Sequence, residues 1–207
     1  MAGELHGEDL KNADFDKIIR FSVICDQMKS VYRRTMLCDL SRRETDAEHS
    51  WHLALMAMLL SDYAPEGTDI AKVIQMVVVH DLVEIYAGDT FCYDEHAALS
   101  KKDREKDAAD RLFAILPQKI GHSMRSLWEE FDEETTNEAA FAAALDRLQP
   151  LLNNFMTDGY TWREGAVERK SVEKRTSLIK KAIPKAAELL DEIMDDSERK
   201  GFFTKKE

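Results

Sequence analysis

Between Ile70 and Glu84 a helical stripe of aliphatic residues runs directly into three ionisable ones. Ile70, Val73, Ile74 and Val77 recur at steps of three or four, the spacing that lines one face of an α-helix. The same steps carried forward land on His80, Asp81 and Glu84. The face turned to the core thus acquires a histidine and two carboxylates. Burying an ionised carboxylate is costly unless it is paired or bound to metal, so any fold that accepts this helix must bring compensating groups to it. The side chains of His80 and Asp81 diverge by about 100° around the axis, and Glu84, one turn on, can share a face with both.

Two other segments carry suitable groups. Thr45-Asp46-Ala47-Glu48 reads as a capping box, in which the Thr oxygen and the Glu carboxylate each bond a free backbone N–H. His49 then falls in the first turn of the helix, where the positive end favours neutral imidazole, the form that binds metal. Asp146 sits among Phe141, Leu145 and Leu148. Pro150, four residues later, lacks the N–H that would bond the Asp146 carbonyl, which predicts a bend there or a tolerated core kink. His49, His80, Asp81 and Asp146 make a mixed nitrogen and oxygen set. Such a set suits an octahedral divalent ion (manganese, iron(II), cobalt, nickel or magnesium) better than a sulfur-rich zinc site. It also leaves positions open for water as a nucleophile. The competing reading is a core hydrogen-bond network without metal.

Apolar residues elsewhere also recur at helical spacing, and only 8 Gly and 4 Pro interrupt the chain, so the expected class is all-α. Helices are predicted over 14–32, from Thr45 through Leu60, over 69–86 ending near Gly88, over 100–116 capped by Ser100, over 120–131, over 136–155, and over 171–195 with Pro184 as a kink. A polar loop is expected over 38–45, a turn at 64–67 and a loop over 159–165. The whole reads as one domain over 1–207, with a core of about 14–195 and loose ends at 1–13 and 199–207.

A net charge of −11 repels a nucleic-acid backbone. It does not repel a small phosphorylated substrate from a site where a local cation outweighs the distant field. Cys25, Cys38 and Cys92 form no Cys-x-x-Cys pair, so free buried thiols in a reducing compartment are expected. The N-terminal residues lack the apolar core of a secretory leader, and the run Leu53 to Leu60 is too short to span a bilayer. A cytoplasmic protein without membrane contact is the expectation. His6, His52, His96 and His122 read as solvent or packing residues, Trp51, Trp128 and Trp162 as core or interface, and the charged run from Lys101 to Asp107 as a solvated helix face.

The ordered set His49, His80-Asp81, Asp146 resembles the HD-domain superfamily of metal phosphohydrolases. Ala47-Glu48-His49-Ser50-Trp51-His52-Leu53-Ala54 resembles the first-histidine helix of its 5′-deoxynucleotidase branch. His80-Asp81-Leu82-Val83-Glu84-Ile85-Tyr86-Ala87-Gly88-Asp89-Thr90 resembles the histidine–aspartate helix and the loop after it. Leu145-Asp146-Arg147-Leu148-Gln149-Pro150 resembles the segment with the last ligand. The resemblance implies an HD-domain helical bundle around a single metal, hydrolysis of deoxyribonucleoside 5′-monophosphates, and a homodimer. It implies catalytic roles for Glu84 and Asp89 and places Arg33 near the phosphate-binding arginine, with Arg34 beside it. The branch's Trp after this arginine is absent here, where Thr35 and Met36 follow. Other enzymes of the superfamily remain as alternatives: a nucleoside triphosphate hydrolase, or a two-metal phosphodiesterase for which His96 and His122 would be the extra ligands. A non-catalytic protein stabilised by its metal is the third.

Overall fold

Helices dominate the computed structural model, which describes residues 13–204; the ends at 1–12 and 205–207, His6 among them, lie outside the described residues. The first helix, α1 (Ala13–Cys25), stops earlier than its predicted end at 32. A 3-10 turn, Asp26–Ser30, follows. The chain then forms a hairpin that helical spacing does not announce. β1 (Tyr32–Met36) pairs antiparallel with β2 (Arg43–Thr45), Tyr32 opposite Thr45 and Met36 opposite Arg43, with an irregularity between them. No apolar stripe continues past Met28, and Val31, Tyr32 and Thr35 favour extended backbone. The expected polar loop over 38–45 is the turn and second strand of this hairpin.

The capping box forms. It opens α2 (Asp46–Leu59), with the Thr45 N–H donating to Glu48 Oε2 at 3.0 Å and the Glu48 N–H to Thr45 Oγ1 at 3.4 Å. Asp69 caps α3 (Ile70–Val79), its carboxylate accepting from the N–H groups of Ala71 and Lys72. The single helix expected over 69–86 is broken at residues 80–83. There the N–H groups of Leu82 and Glu84 bond three residues back, to Val79 and Asp81, before α4 (Glu84–Ala87) begins. Such a tightened turn shifts the side chains that follow it off the 3.6-residue stripe. His80, Asp81, Val83 and Glu84 are consequently all buried. Asp94, not Ser100, caps the next helix, α5 (Glu95–Phe113), accepting from His96 and Ala97.

α6 (Gln118–Glu133) leads to α7 (Asn137–Met156), which stays helical through Pro150. Phe141, Leu145 and Leu148 of α7 lie in the main core, against which α2 and α3 pack. A second apolar cluster gathers Phe21, Met28, Val83 and Leu112 beneath α1 and α5. The expected loop over 159–165 holds a short helix, α8 (Tyr160–Glu164). Gly159 precedes it at φ +68°, a left-handed conformation that glycine adopts without strain.

The predicted last helix is two helices. α9 (Arg169–Ala182) and α10 (Ala187–Arg199) are separated by a 3-10 turn at Pro184–Ala186, because proline clashes with the preceding turn and offers no N–H. The stretch after Arg199 was expected to fray, yet Phe202 is buried and the Thr204 N–H donates to the Val167 carbonyl at 2.9 Å. The cysteines are free, but Cys38 and Cys92 are exposed where burial was expected, and Cys25 is half-buried. Among the described residues no helix is long and apolar enough to cross a membrane.

Candidate metal centre

His49, His80, Asp81 and Asp146 come together from α2, the break after α3, and α7. His49 is fully buried. Its Nδ1 lies 3.0 Å from Gln149 Oε1, and the Gln149 amide nitrogen donates to Glu44 Oε1 at 2.6 Å. A carboxylate can only accept from that amide, so the amide oxygen faces the ring and His49 Nδ1 carries the proton. His49 Nε2 therefore presents a lone pair to the cleft, 3.1 Å from Asp146 Oδ1. Burial, aided by the nearby Arg33 guanidinium, pushes the His49 pKa down to about 4, so the ring is neutral at physiological pH. Two acceptors thus face each other at hydrogen-bond distance, an arrangement that a cation between them reconciles.

His80 presents the same chemistry. Its Nδ1 donates to the Val77 carbonyl at 2.8 Å, which leaves Nε2 as the inward atom. Nε2 is buried and without a hydrogen-bond partner; Asp81 Oδ2 at 3.0 Å and Asp146 Oδ1 at 3.8 Å lie around it. Burial lowers the His80 pKa, but the Asp81 and Asp146 carboxylates outweigh it and raise the value to about 10. The site favours a positive charge at this nitrogen. A histidine held by a backbone carbonyl on one nitrogen and open on the other is the usual form of a metal ligand. His49, His80 and Asp81 place ligand atoms within 4.8 Å of one another. The donor set fits a divalent cation.

Arg33 enters this centre from β1. Its Nη1 donates to Asp81 Oδ2 at 2.6 Å and to Asp46 Oδ1 at 3.2 Å, and its Nη2 lies 4.0 Å from Asp146 Oδ1. Arg34, the next residue on the strand, also lines the cleft but lies away from the carboxylates of Asp81 and Asp146, 3.8 Å from Glu164. It lies over the Phe91 ring at 5.1 Å and is largely exposed. Of the two arginines, the structure brings Arg33 to the carboxylates. Asp81 and Asp146 both titrate well below the ordinary range, because His80 and Arg33 at Asp81, and His80 and Arg175 at Asp146, overcome the effect of burial.

Glu84 is 3% exposed, with Oε2 unpartnered. Burial and the neighbouring Asp81 and Asp46 carboxylates raise its pKa well above the usual value. Asp89 follows Gly88, whose φ of +74° ends α4, and lines the same cleft. Burial raises its pKa too, against the pull of Arg33. His96 and His122 are exposed and line no part of the cleft.

Sequence patterns overlooked Asp46, Glu44, Gln149 and Arg175. Asp46 is fully buried, and burial together with Asp81 lifts its pKa to about 7. Its position in the first turn of α2 has an adequate local explanation in the helix dipole, which hides its tertiary role. Gln149 did carry a signal, as a polar residue between Leu148 and Pro150 in the apolar run of α7.

The HD-domain model matches residues 25–187, a span that contains all four converging side chains. The chain belongs to the HD-domain family. Among proteins similar to this HD-domain chain, the 5′-deoxynucleotidase HDDC2 of Xenopus laevis is 28% identical over 159 residues, 76% of this chain and 72% of its own. The human 5′-deoxynucleotidase HDDC2 is 26% identical over 136 residues, 65% of each chain. The crystal structure of a predicted metal-dependent phosphohydrolase from Magnetospirillum magnetotacticum is 43% identical, with a TM-score of 0.88, covering 93% of this chain and 96% of that one. An HD-domain phosphohydrolase from Listeria innocua, 16% identical with a TM-score of 0.56 over 88% of this chain and 86% of its own, shares the fold.

Proposed function

We propose that this protein is a metal-dependent 5′-deoxynucleotidase that hydrolyses deoxyribonucleoside 5′-monophosphates to deoxynucleosides and phosphate. The observation that carries the reading is the pair of inward histidine nitrogens, on His49 and His80, facing the carboxylates of Asp81 and Asp146 with no proton donor to reconcile His49 with Asp146. The similarity to proteins named 5′-deoxynucleotidase supports the substrate class. His49, His80, Asp81 and Asp146 would hold one divalent cation; manganese, iron(II), cobalt, nickel and magnesium all suit the mixed ligands. When bound, it supplies Lewis acidity to the phosphoryl group and makes a water nucleophilic near neutral pH.

The remaining steps belong to side chains. Arg33, whose Nε is unpartnered, donates to phosphoryl oxygens as negative charge develops. Glu84 accepts the proton of the attacking water, a task for which a carboxylate with raised pKa is suited. Asp89 returns a proton to the leaving 5′ oxygen. A phosphate-release screen over nucleoside mono- and triphosphates with several divalent metals tests the reading. Deoxynucleoside monophosphates should release phosphate in a chelator-sensitive way; pyrophosphate or triphosphate as the product would move the protein to another activity of the family.

The protein acts as a cytoplasmic homodimer in this reading. α2 and α3 pack side by side, and their outer positions include exposed Trp51, Leu55, Met58, Leu59 and Val78. No charged residue occurs between His49 and Leu60 of a chain that is 33% charged. Exposed apolar patches of this kind mark protein contacts, and an uncharged face lets two copies of charge −11 approach. Light scattering should show a dimer for the native chain and a monomer for Met58→Glu with helix content retained. A native monomer at micromolar concentration would refute the assembly.

A further inference from the structure

We infer that Arg175 is a positioning residue that fixes which oxygen of Asp146 faces the metal centre. The inference rests on the four-residue cation site above. Asp146 divides its two oxygens. Oδ1 lies 3.1 Å from His49 Nε2 and 3.8 Å from His80 Nε2, whereas Oδ2 turns away and meets Arg175 Nη2 at 3.4 Å. Left unanchored, a carboxylate can rotate about its last torsion or offer both oxygens to a cation. An N–H held on Oδ2 leaves Oδ1 as the single oxygen aimed at the histidines. It thereby keeps coordination positions open for substrate and water.

The backbone of Arg175 is placed by its helix. Val172, Thr176 and Ile179 are buried on α9 at spacings of four and three, the stripe that packs against α7. Arg175 falls three residues after Val172 and four before Ile179, on the same face. It is a second instance of an ionisable residue interrupting an apolar stripe, and again the compensating group lies on the facing helix. Arg33 also approaches Asp146, at 4.0 Å from Oδ1. Two guanidinium groups converge on one carboxylate although they repel each other, so each must be held by its own partners. Arg33 has Asp81 and Asp46; for Arg175 the ion pair among the described residues is with Asp146.

The test is cation affinity of the metal-free protein, measured by calorimetric titration with Mn2+ and by the visible absorption of added Co2+. Arg175→Met should bind Mn2+ about 10- to 100-fold more weakly, the usual effect of removing an outer partner of a metal ligand. Its Co2+ band should change. Arg175→Lys, which restores the charge on a shorter stem, should recover part of the affinity. Arg175→Gln serves if the Met variant does not fold. Native affinity in Arg175→Met or Arg175→Gln overturns the assignment. So does a rise in KM at saturating metal with unchanged Mn2+ affinity, which would make Arg175 a substrate ligand. A native protein that binds no divalent cation would instead sink the metal reading itself, and this inference with it.

Discussion

Asp81→Ala is expected to abolish divalent-cation binding and to lower phosphate release by about a thousandfold or more. Asp81 Oδ2 lies 2.6 Å from Arg33 Nη1, 3.0 Å from His80 Nε2 and 3.9 Å from His49 Nε2. Its removal takes away an anionic ligand and leaves the Arg33 guanidinium free to move. Lewis-acid stabilisation of a phosphoryl transition state is worth several kcal/mol, and each 1.36 kcal/mol is about a factor of ten in rate. Calorimetric titration with Mn2+ and a phosphate-release assay on one deoxynucleoside monophosphate read the two effects together. A variant that binds Mn2+ as the native protein does would show that Asp81 is not a ligand.

Arg33→Met should have the largest effect on stability of any single change at the site. Asp46 is fully buried and Asp81 nearly so, and Arg33 is the cation that bridges them. Breaking a buried ion pair on one side leaves uncompensated charge and costs about 3–5 kcal/mol. The fall should appear as a lower denaturation midpoint in chelator. Adding Mn2+ should recover part of it, because a ligand that binds only the folded state stabilises by mass action. Activity should remain low even at saturating metal, since the donors for phosphoryl oxygen are gone. An unchanged midpoint in chelator would mean that Asp46 and Asp81 are satisfied without the guanidinium.

The broad architecture and the four residues that converge on the cleft were legible because their signals are local. α2 could be read from its capping box and α7 from the spacing of Phe141, Leu145 and Leu148. The hairpin Tyr32–Thr45 was not legible, because two short strands have no run of alternation long enough to stand out against helical neighbours. The break at residues 80–83 escaped for the opposite reason. Its four residues are all buried, so the pattern of core-facing positions continues while the hydrogen bonding changes beneath it.

By itself, the sequence determined that ionisable residues on helical core faces had to be neutralised by one another or by a cation, since a carboxylate cannot stay charged and alone in an apolar interior. Tertiary structure alone decided which groups meet. It paired Arg33 with Asp81 and Arg34 with Glu164, brought Gln149 to Glu44 across 105 residues of chain, and set Arg175 behind Asp146. Periodicity says which side of a helix is covered; only packing says what covers it, because those contacts join segments far apart along the chain.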